Sequence, residues 1–270
     1  MSARTRRQCH TRRARPGVGR ACGPAVPQTH GVNQETGPPG GAVLLQGGAE
    51  MQPGCEEMDV AFLGVAPDGP LVLLLGAATP GPDHSRTRKR ARRYYEGLGT
   101  SRVVSVAPHP QDDLVGCVAA VASASVLVMP GGSPSRLLDG LRTDAGRLAG
   151  ALVSVHRRGA AVSGSSAGAM VLCARTAQPD RGGTDGLVVL DGLALAPGLA
   201  LVHDRGRDQG GWRDPDDADG LRWGLPEQGG LLLHDGMLQA VGAGSVRVLR
   251  RGRAGVVPGS PVMLDAVLPG

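Results

Sequence analysis

Residues 158–173, Arg-Gly-Ala-Ala-Val-Ser-Gly-Ser-Ser-Ala-Gly-Ala-Met-Val-Leu-Cys, constrain this 270-residue chain more than any other stretch. Residues 160–163 are small and apolar enough for a buried strand. Gly164-Ser165-Ser166-Ala167-Gly168 then turns sharply, and residues 167–174 read as an apolar helix. G-x-S-x-G between a strand and a helix is the nucleophile-elbow pattern, which leaves Ser166 exposed at the strand end. Glycine is required because the turn brings backbone against backbone, where a Cβ would clash. In a chain with 44 glycines the pentapeptide alone is a weak signal; the strand before it and the helix after it give it weight. A plain Gly/Ser-rich strand-to-helix turn is the alternative reading.

Short apolar runs alternate with helical patterns on either side. Residues 42–46, 71–75, 103–106 and 126–129 read as strands, and residues 56–65, 86–98, 112–122 and 145–158 as helices. Strands that are apolar throughout, rather than at every second position, belong to a parallel sheet covered on both faces. This predicts an α/β fold, a three-layer α/β/α sandwich with a mostly parallel sheet. Beyond the elbow helix the pattern changes to short strands with Gly-rich turns at 187–190, 199–202, 231–233, 238–241 and 246–249, so antiparallel strands are expected towards the C-terminus. His234-Asp235-Gly236 reads as a hairpin turn, and the polar residues 204–223 as a surface loop. Sites in such sheets lie outside the carboxyl ends of the strands. Ser166 is at one such end and Gly131-Gly132 at another.

The net charge of +5 is concentrated at one end. Residues 1–40 hold seven arginines and one acid, Glu35, for a net +6; the remaining 230 residues carry 22 basic and 23 acidic side chains, a net −1. Residues 1–40 are rich in Arg, Pro and Gly without apolar periodicity, which predicts a disordered extension ahead of a single domain, 41–270. No apolar run follows the Arg-Arg pairs, so a secretory signal is not expected, and no run reaches the length of a membrane span. The Arg86-Thr-Arg-Lys-Arg-Ala-Arg-Arg93 cluster reads as a solvated helix face, and nucleic acid is not an expected partner. Five cysteines (Cys9, Cys22, Cys55, Cys117, Cys173) make no C-x-x-C pair and no zinc spacing. Reduced thiols, a cytoplasmic location, no metal and no cofactor are the expectations.

A serine hydroxyl needs a base within hydrogen-bond reach, and the base is usually oriented by a carboxylate. Of the seven histidines, His10 and His30 fall in the N-terminal extension and His156 at a helix end. His84, His109, His203 and His234 remain. His203 and His109 both follow apolar strands, and Pro108 and Pro110 flank His109 in what reads as a rigid turn.

Residues 193–207, Leu-Ala-Leu-Ala-Pro-Gly-Leu-Ala-Leu-Val-His-Asp-Arg-Gly-Arg, resemble the segment around the catalytic histidine of cyanophycinases and their relatives. Gly164-Ser-Ser-Ala-Gly-Ala169 resembles their nucleophile motif, and Gly224-Leu-Pro-Glu-Gln-Gly-Gly-Leu231 the segment that carries their acid. Gln46-Gly-Gly-Ala-Glu50 and Pro130-Gly-Gly132 fit as well. The chain thus resembles, over residues 41–250, the serine-peptidase family of cyanophycinase and dipeptidase E, on the class I glutamine amidotransferase-like fold. The resemblance implies Ser166 as nucleophile, His203 as base and Glu227 as orienting acid, with the backbone N–H groups of Gly132 and Ala167 as oxyanion donors. The amidotransferases of this fold carry cysteine at the elbow, so Ser166 disfavours glutaminase chemistry.

Two departures stand out. The family's histidine is commonly followed by an aromatic, here by Asp204, which would raise the imidazole pKa or compete for it. Gly229-Gly230 replaces Thr-Ala after the acid. In dipeptidase E the acid lies between serine and histidine, a place that Asp180 or Asp185 would take. The resemblance suggests small aspartyl or β-aspartyl peptides as substrates. Arg136, just beyond Gly132, reads as a helix-surface arginine or as a partner for a substrate carboxylate, and a homodimer is among the expectations. A non-catalytic binding protein on the same fold and an α/β-hydrolase esterase, with His234 last in chain order, are the alternatives.

Overall fold

A computed structural model describes residues 40–81, 84–179, 187–205, 220–250 and 253–267, all within one unit, Pro38–Gly270. The first half alternates strand and helix: β1 (Val43–Gln46), α1 (Glu56–Val65), β2 (Leu71–Leu73), α2 (Ser85–Gly97), β3 (Val104–Val106), α3 (Leu114–Ala122), β4 (Val126–Met129), α4 (Pro134–Arg157), β5 (Ala161–Ser165) and α5 (Ala167–Leu172). Strands dominate the second half: β6 (Cys173–Pro179), β7 (Leu187–Asp191), β8 (Ala196–Leu201), β9 (Arg222–Gly224), β10 (Gly229–His234), β11 (Met237–Gly242), β12 (Arg247–Arg250), β13 (Arg253–Val256) and β14 (Val262–Met263), followed by α6 (Leu264–Val267).

The uninterrupted apolar runs form the parallel sheet they imply. β1, β5, β4, β2 and β3 lie side by side and parallel, and β10, β11 and β14 extend the sheet antiparallel beyond β1. Every residue of β1, β2, β4 and β5 is buried. Val43, Leu45, Val72, Leu127, Met129 and Val162 pack with side chains of α3, α4 and α5. Leu44, Leu71, Leu73, Val126, Val128 and Ala161 share a second core with Met58 and Phe62 of α1 and Ala91 and Tyr95 of α2. The α/β/α sandwich follows from these two apolar layers. Phe62, the single phenylalanine, is fully buried; removing such a side chain from water stabilises the fold by roughly 1.5–3 kcal/mol.

A second, six-stranded sheet was not separable in the sequence. Its order is β13-β12-β9-β8-β6-β7, parallel only within β9-β8-β6. The elbow helix ends at Leu172 and the chain runs directly into β6, although residues 173–174 read as its continuation. The expected helix 145–158 is the second half of α4. That helix begins at Pro134, capped by the Ser133 side chain accepting from Arg136 N–H, and is broken at residues 143–146, where Asp144, Ala145 and Gly146 have positive φ. The expected hairpin forms between β10 and β11: His234 pairs with Met237, and Asp235 and Gly236 both have positive φ, the geometry of a tight two-residue turn. The N-terminal residues 1–39 and most of the polar loop lie outside the described residues. Among the described residues no helix is long and apolar enough to cross a membrane.

Candidate active site

β1, β4 and β5 run parallel and end at one edge of the sheet, at Gln46, Met129 and Ser165. The elbow follows β5. Ser166 has φ 48° and ψ −112°, a conformation non-glycine residues rarely adopt and one that marks strain held by its surroundings. Its N–H donates to Gln46 O at 3.0 Å. A Cβ on Gly164 would lie 2.5 Å from the Gly168 carbonyl carbon, and one on Gly168 2.3 Å from Met129 O. Both glycines of the pentapeptide are therefore required by backbone approach.

The serine side chain meets the histidine singled out in the sequence. β8 delivers Val202, fully buried, and then His203 with φ 54°. His203 N–H donates to Gly47 O at 2.9 Å. Its Nε2 lies 2.9 Å from Ser166 Oγ, and its Nδ1 lies 3.0 Å from Glu227 Oε1. Glu227 follows the end of β9, the strand parallel to β8, so neighbouring strands hand the histidine and the carboxylate to the same place. The His203 and Glu227 side chains are 36% and 45% exposed, so water reaches both. With Nδ1 protonated, the imidazole donates to Glu227 and accepts the Ser166 hydroxyl proton at Nε2, the arrangement that activates a serine.

Opposite the serine, the end of β4 turns through Gly131 and Gly132. A Cβ on Gly131 would stand 3.2 Å from Ser166 Cβ. Gly132 has φ 143°, and a Cβ there would lie 2.4 Å from Ala77 O. Among the described residues the N–H groups of Gly132 and Ala167 make no hydrogen bond. Ala167 directly follows Ser166, and Gly132 is the residue after Gly131; preorganised free N–H donors are what a developing oxyanion needs.

Sequence reasoning gave no role to Glu50. Its Oε1 accepts from Gly131 N–H at 3.0 Å and its Oε2 from Ser165 Oγ at 2.9 Å, joining the glycine turn to the elbow strand. An acid two residues beyond Gly47-Gly48, at the sheet edge where the site lies, was the available signal. Behind it, Asp59 of α1 is buried and accepts from Gln46 Nε2 and Tyr94 O–H, each at 2.6 Å. Burial, with help from the charges of Glu56 and Glu50, pushes the Asp59 carboxyl up to about 6 despite these two hydrogen bonds.

The other candidates are elsewhere. His234 is the last residue of β10, next to Leu233, which pairs with Val43 at the start of β1, the end opposite to Gln46 and Ser165. His109 is buried, takes Gln111 N–H at Nδ1 (3.2 Å) and has its pKa lowered by that burial. His84 immediately precedes α2, and His156 lies at the end of α4 with Nδ1 3.3 Å from Ala160 O. Arg136 is exposed, with Nη1 3.4 Å from Thr79 Oγ1. Arg205 Nη2 lies 3.8 Å from Glu227 Oε1. Asp180 and Asp185 lie outside the described residues. Cys55, Cys117 and Cys173 are free and buried, and burial raises their thiols to about 11, 12 and 12, so thiolate is scarce at neutral pH. Among the described residues no group of three or more His, Cys, Asp or Glu is placed to hold a metal ion.

The sequence profile of peptidase family S51 matches residues 43–209. The chain belongs to peptidase family S51. Family S51 is the cyanophycinase and dipeptidase E family of serine peptidases, so peptidase activity comes with membership, as does the α/β sandwich. Solved structures share the fold. A peptidase from an acI-B1 Actinobacterium, 19% identical, superposes over 83% of this chain and 97% of its own with a TM-score of 0.67. A putative peptidase E protein from Listeria monocytogenes EGD-e, 11% identical, covers 76% of this chain and 100% of its own with a TM-score of 0.51. No curated protein matches the sequence.

Proposed function

We propose that this S51 peptidase hydrolyses small peptides through an acyl-enzyme, with Ser166 as nucleophile, His203 as base and Glu227 as the acid that orients it. The observation that carries the reading is the unbroken chain from Ser166 Oγ to His203 Nε2 (2.9 Å) and from His203 Nδ1 to Glu227 Oε1 (3.0 Å). His203 takes the hydroxyl proton as Ser166 Oγ adds to the scissile carbonyl. The carbonyl oxygen becomes an oxyanion between the N–H groups of Gly132 and Ala167. His203 then returns the proton to the leaving amine as the C–N bond breaks. Water, deprotonated by the same imidazole, cleaves the ester and restores the serine. Glu227 stabilises the imidazolium in both halves.

Aspartyl or β-aspartyl amides are the substrate class we assign, with exposed Arg136, near the glycine turn, as a partner for the substrate carboxylate. The esterase alternative would need His234, whose place at the far end of β1 speaks against it. Fluorophosphonate labelling followed by peptide mapping tests the reading. Modification should fall on Ser166, vanish in Ser166→Ala and persist in Ser165→Ala. Labelling of Ser165, or of no serine, would overturn it and favour a binding protein that retains the fold.

A further inference from the structure

We infer that Asp204 and Arg247 are a positioning pair that clamps His203 in its working conformation, a role that rests on the serine-peptidase reading above. The two residues come from different strands of the second sheet. Asp204 follows His203 at the end of β8, and Arg247 opens β12. Between them runs β9, whose last residue, Gly224, pairs with Leu201 of β8 on one side and with Arg247 on the other. Arg247 reaches across this glycine and grips Asp204 at two points: Nε to Oδ2 and Nη2 to Oδ1, both at 2.6 Å. The pair is largely shielded, with Asp204 9% and Arg247 22% exposed. Planar, two-point geometry is what distinguishes an arginine–carboxylate pair from a loose surface contact.

The crossing depends on position 224 having no side chain. A Cβ there would lie 2.2 Å from Asp204 Oδ2 and 3.2 Å from Arg247 Cβ, although Gly224 does not have a positive φ. Space for the carboxylate, and not backbone freedom, is therefore the reason for this glycine. Asp204 N–H also donates to Leu225 O at 2.9 Å, and Leu225 N–H to Leu201 O at 2.8 Å. Asp204 is thus fixed through its backbone to the segment that leads, two residues after Leu225, to Glu227, and through its side chain to β12. His203 sits directly before it with φ 54° and an imidazole that must meet Ser166 and Glu227 together. A residue in that conformation persists only where its surroundings over-determine it. Both Asp204 oxygens accept from Arg247, while His203 Nδ1 lies 3.0 Å from Glu227 Oε1.

The test uses the full chain and a fluorophosphonate probe, with inactivation resolved into a rate constant and a half-saturating concentration. Wild type should label at Ser166; a wild type that does not label overturns the serine-peptidase reading and the clamp with it. Given labelling, Asp204→Asn and Gly224→Ala should each lower the inactivation rate constant by ~10–100-fold, because small displacements of a catalytic group cost about that much. The half-saturating concentration should stay within about threefold. Arg247→Lys, which keeps the charge and loses the two-point grip, should fall between them and wild type. The double variant Gly224→Ala/Asp204→Asn should be no slower than the worse of its two single variants, since both remove one interaction. Thermal melts run alongside, and Arg247→Lys retains a folded test should the others melt early. Wild-type rate constants in Arg247→Lys and Gly224→Ala, or losses that multiply in the double variant, would overturn the clamp.

Discussion

Gly48 stands against the imidazole of His203: a Cβ at position 48 would lie 2.4 Å from Cε1 and 2.6 Å from Nδ1 of the ring. Its φ of 149° adds backbone strain to the steric conflict. The same turn receives His203 N–H at Gly47 O and Gln228 N–H at Gly48 O, and places Glu50 between the glycine turn and the elbow. Gly48→Ala should push the ring off Ser166 Oγ and reduce hydrolysis by about 10²-fold or more. Gly64→Ala is the matched control. That residue is in α1, has nothing within 4 Å of its would-be Cβ, and should leave activity unchanged while stabilising the helix by roughly 0.5–1 kcal/mol. Steady-state kinetics and melting curves of both variants check the pair. Equal activity in Gly48→Ala and wild type would contradict the tight fit.

Glu227→Gln should keep the shape of the site and lose the charge that stabilises the imidazolium. Removing the orienting acid of a buried triad costs about 10⁴-fold in kcat, near 5 kcal/mol at the transition state. Glu227 is 45% exposed, so water partly replaces it and the loss should fall in the range of roughly 10²–10⁴-fold. Asp180→Asn and Asp185→Asn should change little. Hydrolysis of a panel of aspartyl dipeptides measures all three. Full activity in both Glu227→Gln and His203→Ala would remove the proposed triad.

The elements visible in the sequence are those buried on both faces. β2 and β4 are apolar throughout and β1 up to Gln46, because both sides of the sheet are covered, and such runs need no context to be read; β5, Ala-Val-Ser-Gly-Ser, was read together with the turn and helix that follow it. In the second sheet β7, β8 and β12 read as short strands, but nothing in them sets a separate sheet apart. β6 carries Arg175, Thr176 and Gln178 among its seven residues, and β9 is three residues, Arg-Trp-Gly, at the end of a polar run. The break in α4 at residues 143–146 has only Gly146 to announce it. Ser166 and His203 were legible because each follows an apolar strand, β5 in the first sheet and β8 in the second, and the family resemblance chose His203 over His109. Glu227 came from the family resemblance, since nothing local distinguishes it from other surface acids. Glu50 had only its place beyond Gly47-Gly48 to mark it: its partners, Gly131 and Ser165, are 81 and 115 residues away, and only the folded sheet brings them together.

Residues 1–40 carry the excess positive charge and no core-forming pattern. We expect a chain starting at residue 41 to melt at the same temperature as the full chain and to hydrolyse peptides at the same rate. A fall of several degrees on truncation would mean that the extension packs on the hydrolase domain. A loss of nucleic-acid retention on truncation would instead assign the arginines to that partner.

Asp59 gives the fold a pH dependence of unusual sign for a carboxylate. Its ordinary pKa of 3.8 is raised to about 6 in the folded protein, chiefly by burial. Between those two values the folded state binds more protons than the unfolded chain, so the stability this group contributes falls as pH rises through that window. Above about pH 6 the full penalty of holding a buried carboxylate ion is present, on the order of 2–3 kcal/mol for a shift of this size. Tyr94, driven far above its ordinary range by burial and by the Asp59 charge, keeps its proton and remains a donor throughout. In Asp59→Asn the titration is gone, while the amide retains an acceptor for Gln46 and a polar group for Tyr94. Other carboxylates titrate equally in both proteins, so the informative quantity is the difference in melting temperature between variant and wild type. That difference should move in favour of Asp59→Asn by several degrees as the pH is raised from 4 to 7.5, and then level off. A difference that stays constant with pH, or that moves in favour of the wild type, would show that Asp59 is not held protonated in the fold.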